Sequence, residues 1–371
     1  MNSGEPAGPG PLRIRGDAAE LETKRARLIA RSEARGAGAM VVRRADTLAW
    51  LLGGADVLVS RQAGPVVEAV VHATGVEIVT NRIESERLRK EELPDGCNLH
   101  AVPWEEPGAL RIRSHAIARA ASPSGDIVDD GEVDVTDARW PLLDVEVERL
   151  RAAGRVTATT LTDVIAGLEP DLSEHAAAGR AIGALRSRGL HVPVVLVAGA
   201  SRFGSVRHPV PTHAPLGAAA LVVVCSEARG LVNSTSRIVQ FGVQPGPIAE
   251  RLAQVLQVES AMLTATRPDA RLEDVLGAAR TAYTAVGHPE AWRDHHQGGP
   301  IGYRPREWLV TPGDQRPLLR GAAYAWNPSL PWAKAEDTFF LSESGLENVT
   351  WDDRWPSLMI DGRARADVLR L

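Results

Sequence analysis

Apolar and polar positions in the first 140 residues form short alternating blocks. Apolar residues recur on one face of a charged segment from Asp17 to Gly36, which predicts a helix that ends at the glycine. Asp46–Gly54 has the pattern of a short helix, and Asn81–Glu92 that of a charged one. Apolar runs between them predict buried strands at Ala39–Val42, Val57–Ser60, Val66–Val71, Val76–Thr80 and Val102–Trp104. Because strands and helices alternate, we expect a small α/β domain here.

Two segments interrupt this pattern. Residues 1–16 are rich in Gly, Pro and Ser without periodicity, which predicts a disordered tail. Residues 122–140 are rich in Asp, Gly, Ser and Pro, which is typical of a linker or a loose hairpin. The sequence therefore predicts an N-terminal domain over residues 17–140 and a C-terminal domain over residues 141–371.

The second domain combines longer helices with strongly apolar strands. Asp144–Ala166 has one apolar face, and Ser173 is placed to cap a helix over residues 174–188. Further helices are predicted at Pro247–Arg267 and Leu272–Val286. Strands are predicted at His191–Gly199, Ala218–Cys225, Leu231–Phe241, Ala323–Trp326 and Thr338–Ser342, with a hairpin turn at Arg229-Gly230. The loop after the first of these strands is rich in proline and glycine and has no helix pattern.

Composition narrows the class of protein. The chain has 371 residues, 44% of them apolar, which suits a two-domain globular protein. A net charge of −5 argues against a nucleic-acid partner. The sequence shows neither a signal peptide nor an apolar run of about 18 residues, so we expect a cytoplasmic protein without membrane contact. Cys97 and Cys225 cannot form a structural zinc site, whereas a disulfide between them stays open.

The stretch Gly287–Trp308 concentrates side chains that carry chemistry. Three histidines, His288, His295 and His296, lie beside carboxylates, arginines and a Gly-Gly turn. Imidazole titrates near neutrality, so each of them can act as a base, an acid or a metal ligand. The alternative is a solvated loop with incidental histidines.

Five motifs follow one another between Ala198 and Thr338. They are VAGASRFGSVRHPVPTHA, the hairpin GLVNSTSRIV, two helices, GHPEAWRDHHQGG and AWNPSLPWAKAEDT. This order resembles the superfamily of creatinase, prolidase and methionine aminopeptidase. The resemblance implies a creatinase-like N-terminal α/β domain and a C-terminal pita-bread domain, an α+β fold with a pseudo-two-fold axis. It also implies a homodimer.

Peptidases of this superfamily hold two divalent metals with two Asp, one His and two Glu. At the matching positions this chain has neutral Ser234 and Asn327, and no carboxylate within Val223–Cys225. Only His288 and Glu336 match. Because divalent cations need negative oxygen ligands, we expect no dinuclear metal centre and no other cofactor.

Creatinase, which works without a metal, is similar at other positions. The resemblance implies that His208 activates water and that His295 assists the departing nitrogen. It implies that Arg306 binds a substrate carboxylate. Ser236 and Asn327 fall where creatinase has carboxylates that grip a guanidinium, so creatine is not the expected substrate. The other predicted substrate-binding residues are Glu336, His296 and Gln297.

Three interpretations of function remain open. The first is a metal-independent or metal-poor hydrolase that cleaves a C–N bond in a small amide or amidine. The second is a catalytically inactive homologue that keeps the pocket for a ligand or peptide. The third is a metallopeptidase of the Xaa-Pro type, for which the ligand set is incomplete. All three predict a small-molecule or short-peptide ligand, and the metal content of the purified protein would separate the third from the others.

Overall fold

The structure is a computed structural model that describes residue 12 and residues 15–123, 125–242 and 247–371. The predicted disordered tail lies outside the described residues except for residues 12, 15 and 16. The chain divides into two compact units. The first ends at Leu143 and includes Arg229–Leu231, and the second comprises Asp144–Ala228 and Val232–Leu371. The predicted domain boundary near residue 140 lies just before this division.

The described residues of the first unit form a five-stranded mixed sheet and four α-helices. Its strands are β1 (Ala37–Val42), β2 (Val67–His72), β3 (Gly75–Asn81), β4 (Cys97–Val102) and β5 (Asp126–Asp129). They lie in the order β4-β3-β2-β1-β5, with β3–β4 and β1–β5 parallel and the other pairs antiparallel. The helices are α1 (Ala18–Glu33), α2 (Ala45–Leu51), the single turn α3 (Ser85–Arg87) and α4 (Ala109–Ala121). The predicted α/β character of this region is confirmed.

Several local predictions for the first unit are wrong. Val57–Ser60 is a loop, although the Val57 side chain is buried. The predicted helix over Asn81–Glu92 begins only at Ser85 and continues as a π-helical turn. The supposed linker contains β5, which pairs with β1, and the helix α4 was not predicted. Both escape the sequence pattern because their apolar stripes are narrow: α4 fully buries only Ser114 and Ala118.

In the described part of the second unit there are five α-helices and two four-stranded sheets. The helices are α5 (Asp144–Ala166), α6 (Glu174–Ser187), α7 (Ala200–Phe203), α8 (Ile248–Ala265) and α9 (Leu272–Ala285). One sheet contains β6 (His191–Gly199), β7 (Ala219–Ala228), β8 (Leu231–Gln240) and, at its edge, β17 (Leu369–Arg370), in the order β17-β8-β7-β6. The other contains β9 (Gly298–Ile301), β10 (Ala322–Trp326), β13 (Asp337–Ser342) and β14 (Gly345–Asn348), in the order β14-β13-β10-β9. Two short ribbons pair β11 (Ser329–Leu330) with β12 (Ala333–Lys334), and β15 (Ser357–Ile360) with β16 (Arg363–Ala366).

Most of the longer elements of the second unit confirm the sequence pattern. α5 and β6 have the predicted bounds, and the Ser173 hydroxyl accepts a hydrogen bond from the Ala176 N–H at the start of α6. The hairpin turn has φ of 50° at Arg229 and 76° at Gly230, as a tight hairpin requires. The proline-rich loop after β6 differs from the prediction, because it begins with the helical turn α7. None of the helices in the described part of the chain has the length and apolarity that a membrane crossing requires.

Close packing of β9 against β10 holds the histidine-rich segment in place. Gly298 has a φ of 103°, and a Cβ there would collide with the carbonyl oxygen of Ala325. Gly298 pairs with Trp326 across the two strands. His295 and His296 lie just before β9 in the chain. This contact therefore fixes the position of their loop relative to the sheet.

Candidate active site

Three histidines from two distant segments meet in the second unit. His208 lies in the loop after α7, and His295 and His296 lie directly before β9. The ring centroids are 4.6 Å apart for His208 and His295 and 4.4 Å apart for His295 and His296. One ring nitrogen from each histidine lies within 4.8 Å of the others. The structure therefore brings together the two residues predicted to be catalytic, and adds His296.

Hydrogen bonds determine where the protons of this cluster lie. Nδ1 of His295 is 2.6 Å from the carbonyl oxygen of His296, which can only accept, so this nitrogen carries a proton. Nε2 of a neutral His295 is then an acceptor, and it lies 2.8 Å from Nε2 of His208. His208 therefore donates through Nε2–H, which leaves its Nδ1 with a free lone pair. Among the described residues this Nδ1 has no hydrogen-bond partner, and His208 is exposed.

The surroundings keep all three imidazoles in the neutral form. Burial, helped by the charge of Lys334, lowers the pKa of His295 to about 3. Burial and the charges of Arg306 and Lys334 lower the pKa of His296 to about 4. The pKa of His208 is also lowered, first by burial and then by Lys334. At neutral pH the cluster can accept protons and offers uncharged nitrogens.

A buried ionic group, which we call the pocket cluster, lies beside the histidines and consists of Arg306, Lys334 and Glu336. Nη2 of Arg306 is 2.6 Å from Oε1 of Glu336, and Nζ of Lys334 is 3.1 Å from Oε2. Burial alone would raise the pKa of Glu336, but the charges of Lys334 and Arg306 more than offset it and hold this pKa at about 2. The carboxylate is therefore ionised between two cations.

Lys334 is the member of the pocket cluster that the sequence analysis missed. It lies in β12 and is 6% exposed. Its neighbours Ala333 and Ala335 are buried as well, so this lysine lies between two buried alanines. Its position two residues before the predicted site residue Glu336 is the signal that could have identified it, because opposite charges so near in the chain can pair, as these two do.

The other predicted substrate-binding residues differ in their surroundings. Ser236 and Asn327 are each 3% exposed, and Oγ of Ser236 and Oδ1 of Asn327 have no hydrogen-bond partner. The carboxamide of Gln297 donates to the carbonyls of His295 and Trp292 and accepts from the Tyr283 hydroxyl, so it braces the histidine loop. His288 lies outside the histidine cluster and contacts the guanidinium of Arg251, a member of helix α8. Ser236 and Asn327 thus keep polar atoms available, whereas Gln297 is engaged by the protein.

The dinuclear metal centre that the sequence resemblance implies does not match these residues. Oγ of Ser234 faces Sγ of Cys225 at 3.2 Å, so two positions near the expected aspartates carry neutral side chains. Asn327 adds a neutral amide, and Glu336 already has a cation on each oxygen. A dication bound to Glu336 would have to displace Arg306 or Lys334. The donor set therefore does not fit two divalent metals, and no chemical step is derived through them.

Comparisons with known proteins agree with this architecture. The model of metallopeptidase family M24 matches residues 148–347. The crystal structure of dipeptidase PepE from Mycobacterium ulcerans covers 96% of this chain and 100% of its own, with 18% identity and a TM-score of 0.72. The Xaa-Pro dipeptidase from Bacillus anthracis covers 95% and 100%, with 15% identity and a TM-score of 0.71.

A third similar structure is the N-terminal domain of FACT complex subunit SPT16 from Cicer arietinum. It covers 89% of this chain and 96% of its own, with 12% identity and a TM-score of 0.68. A search of curated proteins by sequence finds no match. At these identities the structural likeness establishes the fold alone, and it confirms the predicted two-domain pita-bread architecture.

Proposed function

The chain belongs to metallopeptidase family M24, and from this membership and its pocket chemistry we propose that it is a metal-independent hydrolase. Its substrate is a small compound with an amide or amidine group, and the bond cleaved is C–N. The observation that carries the proposal is the 2.8 Å hydrogen bond between His208 and His295, which leaves Nδ1 of His208 free to act as a base. Such a base can activate water without the two divalent metals for which this chain lacks the carboxylates.

In the proposed reaction, Nδ1 of His208 takes a proton from water as the oxygen attacks the carbonyl or amidine carbon. The new C–O bond forms while the π bond becomes a lone pair, and the hydrogen bond that His208 donates to His295 stabilises the positive charge on His208. Collapse of the tetrahedral intermediate breaks the C–N bond, and the histidine pair returns the proton to the departing nitrogen. Proton transfer by a positioned histidine contributes about 10²- to 10⁴-fold to the rate.

Two observations favour a second candidate function, ligand or peptide binding without turnover. The carboxylates expected for metal binding are absent at Ser234 and Asn327, and the remaining one, Glu336, is paired with two cations. The proposed reaction differs from this candidate in requiring His208. The Xaa-Pro metallopeptidase alternative has family membership in its favour, but it needs ligands that these residues do not supply.

A hydrolysis screen with chelator-treated protein tests the proposal. Dipeptides, guanidino acids and acyl amides are the compounds to screen. On the substrate found, His208→Ala lowers kcat about 10²- to 10⁴-fold because it removes the base. His288→Ala is the matched control, since His288 lies in the same segment as His295 but outside the cluster, and it leaves kcat unchanged.

Three results would contradict the hydrolase. A His208→Ala variant as active as the wild type removes the proposed base. Activity that appears only after two equivalents of Mn, Co or Zn are added supports the metallopeptidase. Binding of screened compounds without any turnover supports the inactive homologue.

The proposal includes a cytoplasmic homodimer whose partners are small molecules or short peptides, without nucleic acid or membrane. The support is the resemblance to two-domain creatinase and prolidase proteins, together with the chain's net charge of −5. Light scattering of the purified chain should give twice the mass of 39.7 kDa. A mass equal to that of one chain would contradict the dimer.

A further inference from the structure

Lys334 has hydrogen-bonding capacity that the protein does not use. An ammonium carries three N–H donors, and among the described residues the only polar contact of the Lys334 Nζ is Oε2 of Glu336 at 3.1 Å. Its side chain is 6% exposed. Lys24, the other buried lysine, is bound at 2.6 Å by Glu20 and at 2.7 Å by the carbonyl of Trp50. Buried donors almost always have a partner in the protein, in water or in a ligand, so the two remaining donors of Lys334 are available to a ligand.

Other polar atoms near the pocket cluster are also buried without a partner. Nε of Arg306 has none, and neither has Nδ1 of His296. Both residues are within electrostatic reach of Lys334, whose charge also acts on His208 and His295. The unpartnered donors of Lys334 and Arg306 thus belong to the same site as the histidine cluster.

The charges of the pocket cluster identify the kind of ligand. Arg306 and Lys334 contribute two positive charges and Glu336 one negative charge, so the cluster carries a net charge of +1. The shorter ion pair, at 2.6 Å, joins Glu336 to Arg306. The charge of Lys334 is therefore less fully balanced by Glu336 than the charge of Arg306 is. A single negative charge on the ligand would make the buried site neutral, and buried charges are tolerated when they are balanced.

We propose that Lys334 is a ligand-binding residue and that its ammonium, together with Nε of Arg306, binds the carboxylate of a small monoanionic ligand. Neither the family match nor the similar structures assign a role to this lysine. The inference rests on the pocket proposed above as the active site, but it concerns binding and does not require turnover. Lys334 supplies this positive charge from the protein, so the pocket needs no bound cation to attract a carboxylate.

Lysine-selective NMR tests the contact directly. The sequence contains three lysines, Lys24, Lys90 and Lys334, so protein labelled with ¹³C at lysine Cε gives three signals, each assigned by a Lys→Arg variant. The probes are N-acetylglycine and N-acetylglycinamide, which have nearly the same size but differ in charge. N-acetylglycine should shift the Lys334 signal alone, and N-acetylglycinamide should shift none. Lys24 is the internal control for a buried lysine.

Calorimetry with variants measures how much the contact matters. Lys334→Met removes the charge at similar length and should weaken N-acetylglycine binding at least tenfold, whereas Lys24→Met should leave it unchanged. Lys334→Arg keeps the charge and should retain binding, which preserves the test if Lys334→Met fails to fold.

Two results would overturn the inference. One is a Lys334 signal that stays in place with N-acetylglycine up to its solubility limit, and the other is equal N-acetylglycine affinity in the folded Lys334→Met variant and the wild type. Binding without hydrolysis would leave the inference standing while contradicting the hydrolase. Hydrolysis that is unaffected by Lys334→Met would contradict the inference and leave the hydrolase standing.

Discussion

Glu336 and Asp337 are adjacent in the chain, yet they belong to two different buried ionic groups. Glu336 belongs to the pocket cluster, where it contacts one arginine and one lysine. Asp337 is the first residue of β13 and belongs to what we call the structural cluster, made up of Asp337, Glu259, Arg237 and Arg365. Its two oxygens accept five hydrogen bonds at 2.9–3.2 Å, from Thr235, Arg237, Thr350, Asn348 and Arg365.

The two clusters differ in how completely their charges are satisfied. The structural cluster has two acids and two arginines, and Arg365 adds bonds of 2.5 and 2.6 Å to Glu259. Burial would raise the pKa of Asp337, but Arg237 and Arg365 more than offset it and lower this pKa. The pocket cluster has an excess positive charge and unpartnered donors. For these two clusters, we interpret the complete pairing as structural and the incomplete pairing as a place for a ligand.

Breaking the structural cluster should have the largest effect on stability. Arg365→Met leaves Glu259 and Asp337 with Arg237 as the remaining cation, and removing one partner of a buried ion pair costs about 3–5 kcal/mol. The free energy of unfolding, measured with urea, should fall by this amount. A loss below about 1 kcal/mol would mean that the structural cluster does not support the fold.

Lowering the pH should destabilise the fold through His295 and His296 of the pocket. The pKa values of His295 and His296 are about 3 and about 4 in the folded protein, below the unfolded value of 6.5. Below pH 6.5 the unfolded chain therefore binds more protons, and stability falls as pH decreases toward these folded values. Each histidine contributes a slope of up to about 1.4 kcal/mol per pH unit below pH 5.5, and the slope of His296 falls to about half of this as the pH reaches its folded pKa of about 4.

Urea unfolding of His295→Gln and the wild type across this range measures the slope. In the variant, the slope of the unfolding free energy against pH should be smaller by the contribution of one histidine. The carboxylate of Asp337, whose pKa is lowered from 3.8, contributes only near pH 4, where the unfolded chain begins to bind its proton, and it does so equally in both proteins. Equal slopes in the variant and the wild type would mean that His295 is not held neutral.

The smallest effect is expected from the matched substitution in the pocket. Lys334→Met removes one of two cations, and Glu336 keeps its 2.6 Å pair with Arg306. The free energy of unfolding should change by less than about 1 kcal/mol, because a buried ammonium with one partner contributes little net stability. A loss as large as that of Arg365→Met would erase the distinction between the two clusters.

The sequence predicted the long elements of the second unit well because their apolar patterns are strong. α5 and β6 have the expected bounds, whereas the strands of two to four residues were missed because no periodicity can develop over so short a run. The helix α4 was missed as well, because only two of its residues are fully buried. Two buried positions are too few to give a helical pattern of apolar residues. Helices and strands were therefore predicted equally well where the pattern of apolar residues was strong, and both were missed where it was weak.

The candidate site was predicted in part. His208, His295, Arg306 and Glu336 were named from motif order, and the structure brings them near one another. Their roles stay predictions. Lys334 was missed because a lysine is exposed by default, and only the tertiary structure shows that this one is buried. Gln297 was given a substrate role because sequence does not show that its amide is already hydrogen-bonded within the loop.

The pleat of β8 bears on how a family can change its chemistry while keeping its fold. Ser234 contacts Cys225 and Arg306 on the pocket side, whereas Thr235 and Arg237 contact Asp337 on the other. Alternate positions of one strand are thus free to evolve separately. An acidic side chain exchanged for serine on one face leaves the hydrogen bonds of the other untouched. The side chains on the pocket face of β8 can therefore change while the backbone and the structural cluster stay the same.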